Sequence, residues 1–230
     1  MKKIVSMILA VCLCLSLTGA FAAGKLNIVQ ENFHAITSYT TYGYAYAKVE
    51  NSGDKPIKVN AGVLEIYDEA GDVITSTDYM SAHADYLQPG EYTYVKLYSE
   101  IEEGQTADDY SLTLTGKSDN ENICLRLPCT TDMKLNEEEG WWTRNYIYAT
   151  VTNNTDEPLY DIEVVLALLD AEGNILHIES DNLYNERALT PGSSMIIRKD
   201  IYSDTMDYFA AKGLVPASVD AIAFVKVEVE

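Results

Sequence analysis

The sequence predicts an all-β chain built as two tandem β-sandwich domains, products of one internal duplication, with a short helix in the second. Three observations carry this. The chain repeats itself in constant register: Tyr44 returns as Tyr146, Val49-Glu50-Asn51 as Val151-Thr152-Asn153, Asp54-Lys55-Pro56 as Asp156-Glu157-Pro158, and Leu87-Gln88-Pro89-Gly90 as Leu189-Thr190-Pro191-Gly192. Apolar residues alternate with polar ones at period two, the mark of a half-buried strand, and helical periodicity is nearly absent. Turn-forming residues punctuate the chain every ten or so positions, as short antiparallel strands require.

Each element follows from these patterns. Tyr44 to Glu50 places Ala45, Ala47 and Val49 on one face and Tyr44, Tyr46 and Lys48 on the other. The second copy repeats this with Ile147, Ala149 and Val151 opposite Tyr146, Tyr148 and Thr150. Asn51-Ser52-Gly53-Asp54 and Asn153-Asn154-Thr155-Asp156 form turns through side chains that bond their own backbone. Pro56 and Pro158 bar donation to a ladder, so the next strand starts after them. That strand is apolar on both faces in copy two (Ile162, Val164, Leu166 and Leu168 against Val165, Ala167 and Leu169), which predicts cover on both sides or contact with the other domain. Asp68-Glu69-Ala70-Gly71 and Asp170-Ala171-Glu172-Gly173 read as hairpin turns. The second copy is longer between Asp204 and Ser218. There Asp204 is the expected N-cap, Met206 to Lys212 the helix, and Gly213 its terminator. Ser118 to Asn122 is the expected linker, which sets the domains at 23–118 and 119–230.

The N-terminus predicts export. Lys2 and Lys3 precede an apolar run from Ile4 to Leu17, and Ala20-Phe21-Ala22 supplies small residues for a signal peptidase, so residues 1–22 read as a signal peptide. The run falls short of the roughly 20 residues of a membrane span, which predicts a secreted or extracytoplasmic protein with no membrane association after cleavage. With 16 basic and 36 acidic residues the net charge is −20, which argues against nucleic acid and anionic lipid surfaces. Cys124 and Cys129 survive processing, and five residues apart they read equally as a local disulfide or as two free thiols.

The sequence carries no recognisable catalytic motif. His34, His83 and His177 are scattered, Gly192-Ser193-Ser194 is a loop and no nucleophile elbow, and no phosphate cradle is present. No catalytic residue, cofactor or metal is expected. Asp170, Glu172 and Asn174 place oxygens at alternate positions, as in calcium loops, but the segment is too short for a complete one, and a hairpin turn accounts for it. Aromatic residues are the sharpest lead. Tyr44, Tyr46, Tyr146 and Tyr148, with Trp141 and Trp142 just ahead of the second pair, predict a stripe suited to stacking on sugar rings or anchoring a protein. The competing reading is that tyrosine is simply a good strand residue, or that the neighbouring domain covers the stripe.

These motifs resemble the bacterial FxLYD-type exported domain, an immunoglobulin-like β-sandwich. The residues that carry the resemblance are Val49-Glu50-Asn51, Leu64-Glu65-Ile66-Tyr67-Asp68, Gly71 and Leu87-Gln88-Pro89-Gly90, and in copy two Val151-Thr152-Asn153, Leu166-Ala167-Leu168-Leu169-Asp170, Gly173 and Leu189-Thr190-Pro191-Gly192. Leucine replaces the leading phenylalanine in both copies, and copy two lacks the tyrosine. The resemblance implies tandem immunoglobulin-like domains at the cell surface or beyond. The expected function is therefore an exported non-catalytic binding or structural module with a protein or glycan partner at the cell surface. The alternatives are a small exported hydrolase with an unrecognised carboxylate pair, and an accessory protein that holds its partner through the tyrosine face.

Overall fold

The computed structural model describes residues 24–81, 84–183 and 188–228; the expected signal peptide lies outside the described residues. In chain order the elements are β1 (Leu26–Thr37), β2 (Thr41–Asn51), β3 (Ile57–Tyr67), β4 (Val73–Thr77), β5 (Met80–Ser81), β6 (Tyr86–Leu87), β7 (Tyr92–Ile101), β8 (Asp109–Ser118), β9 (Asn122–Leu127), β10 (Cys129–Glu139), β11 (Trp142–Thr152), β12 (Ile162–Leu169), β13 (Ile175–Leu183), β14 (Ser194–Asp200), α1 (Ser203–Lys212) and β15 (Ser218–Glu228). All strand pairs are antiparallel. The all-β sandwich architecture is therefore as the alternation predicts. Among the described residues no helix is long and apolar enough to cross a membrane.

Four sheets stack as layers around three apolar cores. Sheet one runs β1-β2-β7-β5. Sheet two centres on β3, with β8 along its length and β4 and β6 pairing its two ends. Their shared core contains Ala45, Ala47 and Val49 of β2, Leu64 and Ile66 of β3, and Val95 and Leu97 of β7. Sheet three runs β13-β12-β15-β9 and sheet four β10-β11-β14. Ile147, Ala149 and Val151 pack there against Ile162, Val164, Leu166 and Leu168, with Phe209 of α1 closing one end. The third core lies between sheets one and three. It joins Tyr46 and Tyr94 to Val165, Ala167, Ile178 and Phe224. The two-faced apolar strand β12 thus packs its even positions into its own sandwich and its odd positions against the other, since both of its faces are dry.

Turn chemistry sets the loops. Asn153 is fully buried; its Nδ2 donates to the carbonyls of Glu157 (2.8 Å) and Leu189 (2.7 Å), and its Oδ1 accepts from the amide (2.9 Å) and hydroxyl (2.7 Å) of Thr155. Asn51 makes the corresponding donations to Lys55 and Leu87 and accepts from the Gly53 amide. One side chain therefore pins a turn to a distant loop in each unit. Asn153→Ala leaves these groups unpaired in a dry site and is expected to cost about 2–3 kcal/mol. Urea unfolding checks this, and a loss below about 0.5 kcal/mol would contradict it. Asp68 and Asp170 accept from the amides two and four residues on, while Gly71 (φ 83°) and Gly173 (φ 84°) take the left-handed position.

The start of the helix is corrected. The helix starts at Ser203 with Tyr202 at the N-cap and no side-chain cap, so Asp204 lies in the first turn, where its charge meets the positive end of the helix dipole. Gly213 ends the helix in the left-handed conformation, φ 69°. The expected linker is a tight turn: Asp119 Oδ1 accepts from the amides of Glu121 and Asn122, and β9 begins at once. Of the two readings of Cys124 and Cys129, two free thiols are what the described residues contain. The chain is extended through this segment and changes sheet at Pro128. Cys124 faces the core between sheets one and three, whereas Cys129 packs against the core of the second sandwich.

Candidate functional site

The six aromatic residues expected to bind a ligand divide into covered and open sets. Tyr46 is completely buried and Tyr44 half-buried, stacked on it at 6.1 Å with ring planes 7° apart. They lie on the face of sheet one that meets sheet three. Period two fixed which face carries them, and the second sandwich covers that face. Tyr146 is buried beneath the Arg198 guanidinium, 4.4 Å from its ring centre, and Tyr148 is half-buried beside it. Trp141 and Trp142 are open, 98% and 69% exposed at the tip of the β10–β11 hairpin.

Of the covered tyrosines, Tyr46 belongs to a polar chain inside the joint. The Tyr46 hydroxyl is hydrogen-bonded to His177 Nδ1 (2.9 Å), His177 Nε2 meets Glu179 Oε1 (2.8 Å), and Lys96 Nζ reaches the same oxygen (3.1 Å). Burial disfavours ionised Glu179, but the His177 hydrogen bond and the charges of His177 and Lys96 outweigh it and bring its pKa down to about 2. His34 is buried beside this chain, edge-on to Tyr46, Tyr208 and Phe209. Burial first, then the neighbouring His177, lowers its pKa to about 4. Tyr92 and Tyr94 both donate to Asp220 Oδ2, at 2.8 and 2.7 Å, across the same joint. Burial and that bond push the Tyr92 hydroxyl up to about 12. At the rim, Lys226 bridges Asp85 (3.0 Å) and Glu163 (2.9 Å). These groups pair with one another across a dry interface, so they hold the sandwiches together.

The open aromatic residues build a different surface. At the β1–β2 tip Tyr39 is fully exposed, and it occupies the position that Trp141 holds in the second hairpin. A 340 Å³ groove beside it is lined by Tyr39, Tyr42, Tyr44, Tyr202 and Asp204 among others. A second groove of 230 Å³ is lined by Trp142, Arg144, Asn145, Asp200 and Tyr202. Tyr202, 72% exposed, forms a wall of both and joins them. Tyr42 extends the aromatic surface to Tyr98 (6.1 Å) and through it to Tyr79 (5.8 Å). Sequence reasoning missed Tyr39 and Tyr202. The repeat offset from Trp141 points to Tyr39, whereas only the docking of α1 brings Tyr202 to the site.

The remaining candidates are occupied by their own structure. Asp170 Oδ1 accepts from the Glu172 and Asn174 amides and Oδ2 from the Asn174 side chain (2.8 Å), so the turn itself uses the oxygens of the calcium-like segment. Burial pushes the Cys124 thiol up to about 11, and its sulfur lies 3.5 Å from the Tyr86 amide. Burial raises Cys129 as well, and its thiol donates to the Ala221 carbonyl at 3.3 Å. Neither thiol is primed as a nucleophile.

No protein-family model matches the chain, and no curated protein matches it. Among solved structures it is similar to the crystal structure of red sea bream transglutaminase at 11% identity and a TM-score of 0.22, a match that covers 88% of this chain and 31% of that one.

Proposed function

We propose that this chain is an exported, non-catalytic binding module of the cell surface or extracytoplasmic space, and that its ligand face is the aromatic groove on both sides of Tyr202. The observation that carries this is the exposure of Trp141, Trp142, Tyr39 and Tyr202 at one end of a molecule that buries most of its other large apolar side chains. Exposed rings at a hairpin tip contribute nothing to a core, and large rigid aromatic side chains are the commonest anchors of a binding face. The tandem FxLYD-type reading is supported by the constant repeat offset and by the matched Asn51 and Asn153 turns. The tyrosine-rich face of sheet one serves as the joint between the sandwiches, so the partner-holding role moves to the open hairpin end.

The test is retention of purified protein on an envelope fraction of the exporting cell. Trp141→Ala with Trp142→Ala should change stability by no more than about 0.5 kcal/mol. Retention should fall about 30-fold, the equivalent of a 2 kcal/mol hot spot. Unchanged retention by a folded double variant, or turnover on a panel of glycosides and esters, would overturn the proposal.

A further inference from the structure

Building on the reading of the groove as a ligand face, we propose that its ligand is an extended basic peptide segment, with arginine or lysine side chains stacked on the open rings. Three observations point there.

The first is that the molecule already contains the recognition chemistry. Arg198 lies with its guanidinium 4.4 Å from the Tyr146 ring centre and 3.9 Å from Asp200 Oδ1, a cation held between an aromatic face and a carboxylate. Lys48 sits 3.8 Å over Tyr92 and Lys212 5.8 Å over Tyr208. Cations over tyrosine faces are thus a recurrent solution in this chain, and such contacts strengthen as they desolvate.

The second is that the grooves set rings beside carboxylates again, Asp200 there being shared with Arg198. Trp142 and Tyr202 present rings beside Asp200, and Tyr39 and Tyr202 present rings beside Asp204. Among the described residues Arg144 is the one cation that lines either groove. Exposed Glu137, Glu138 and Glu139 sit on the hairpin that carries the tryptophans.

The third is the charge of the whole chain. At −20 it repels anionic glycans and nucleic acids and accelerates encounter with a cation. Stacking alone would suit a neutral sugar equally well, but it leaves the Asp204 carboxylate unused. Grooves of 340 and 230 Å³ on either side of Tyr202 suit alternate side chains of an extended strand, which share one face and lie about 6.6 Å apart.

The sequence supplies its own reporter, because Trp141 and Trp142 are the only tryptophans in the chain. The intact protein is titrated with a synthetic octapeptide of alternating arginine and proline, and tryptophan emission is followed. Chitohexaose and an octaglutamate peptide serve as controls. The expected result is a saturable blue shift with the basic peptide alone. Affinity should fall about tenfold in Asp200→Asn with Asp204→Asn, and should weaken markedly between low and physiological salt. Circular dichroism and the melting temperature confirm that this variant folds, and the single substitutions supply the same comparison if the pair does not. Three outcomes would overturn the inference: a saturable shift with chitohexaose instead of the peptide, peptide binding indifferent to both carboxylates, or no shift with either ligand. Envelope retention that still depends on Trp141 and Trp142 would leave the binding-module reading standing even then.

Discussion

Tyr46→Ala is expected to cost about 4 kcal/mol. The side chain is completely buried, and truncating a buried aromatic side chain to alanine costs about 3–5 kcal/mol in transfer and cavity terms. Tyr46 also packs on Tyr44 and sits edge-on to His34 and His177, so its removal opens the joint from the sheet-one side. The hydroxyl adds a separable part. Tyr46→Phe keeps the ring and leaves His177 Nδ1 without its hydrogen-bond partner, an expected loss of about 1–2 kcal/mol. Urea unfolding of the two variants gives both numbers. A loss below about 1 kcal/mol for Tyr46→Ala would mean that the joint contributes little to folding.

The second large effect is acid sensitivity. His34 is held down to about 4 from an ordinary 6.5 because burial disfavours its charged form. In the native state it accepts from the Asn32 amide through Nε2 (3.3 Å) and bonds the Leu176 backbone. The groups around it are His177 from β13, Tyr46 from β2, Tyr208 from α1 and, one step further, Glu179. Between pH 6.5 and 4 the unfolded chain binds a proton at this residue that the folded chain refuses. Stability is therefore full above 6.5 and falls as the pH drops to 4, by about 3 kcal/mol at 1.36 kcal/mol per pKa unit. Glu179 extends the loss. Its pKa of about 2 lies below the ordinary 4.5, so the stability it contributes above 4.5 disappears as the pH falls through 2. Melting temperature against pH should descend through both windows. His34→Gln should flatten the 6.5-to-4 limb and leave the lower one in place; an unchanged upper limb would assign the acid sensitivity elsewhere.

What the sequence made legible is what local chemistry decides. Asp68, Asp170, Gly71 and Gly173 declare their turns because a short carboxylate and a residue free to take positive φ satisfy the backbone within five positions. The sandwich alternation at Ala45, Ala47 and Val49 is readable for the same reason, since period two belongs to the strand itself. What covers a face is not local. Tyr44 and Tyr46 read as a stripe from spacing alone, and only the apolar odd positions of β12, Val165 and Ala167, hint at the surface that meets Tyr46. Trp141 and Trp142 were legible as aromatic residues at a strand entrance. Their partner Tyr202 was not, because it lies far along the chain and reaches the groove through the start of α1. The helix start was misread because Asp204 is a good cap by residue type, whereas the chain turns into the helix two residues earlier.

The layered joint also bears on how the molecule presents its tips. Tandem sandwiches commonly hang on a tether, and a ligand that spans both must then pay to orient them. Here three residues separate β8 from β9, and a dry core clamps sheet one to sheet three. The Tyr39 and Trp141 hairpins are therefore held like the jaws of a fixed caliper. A ligand long enough to touch both meets a preset gap, its second contact carries almost no added entropic penalty, and a strand of the wrong length gains nothing from the second jaw.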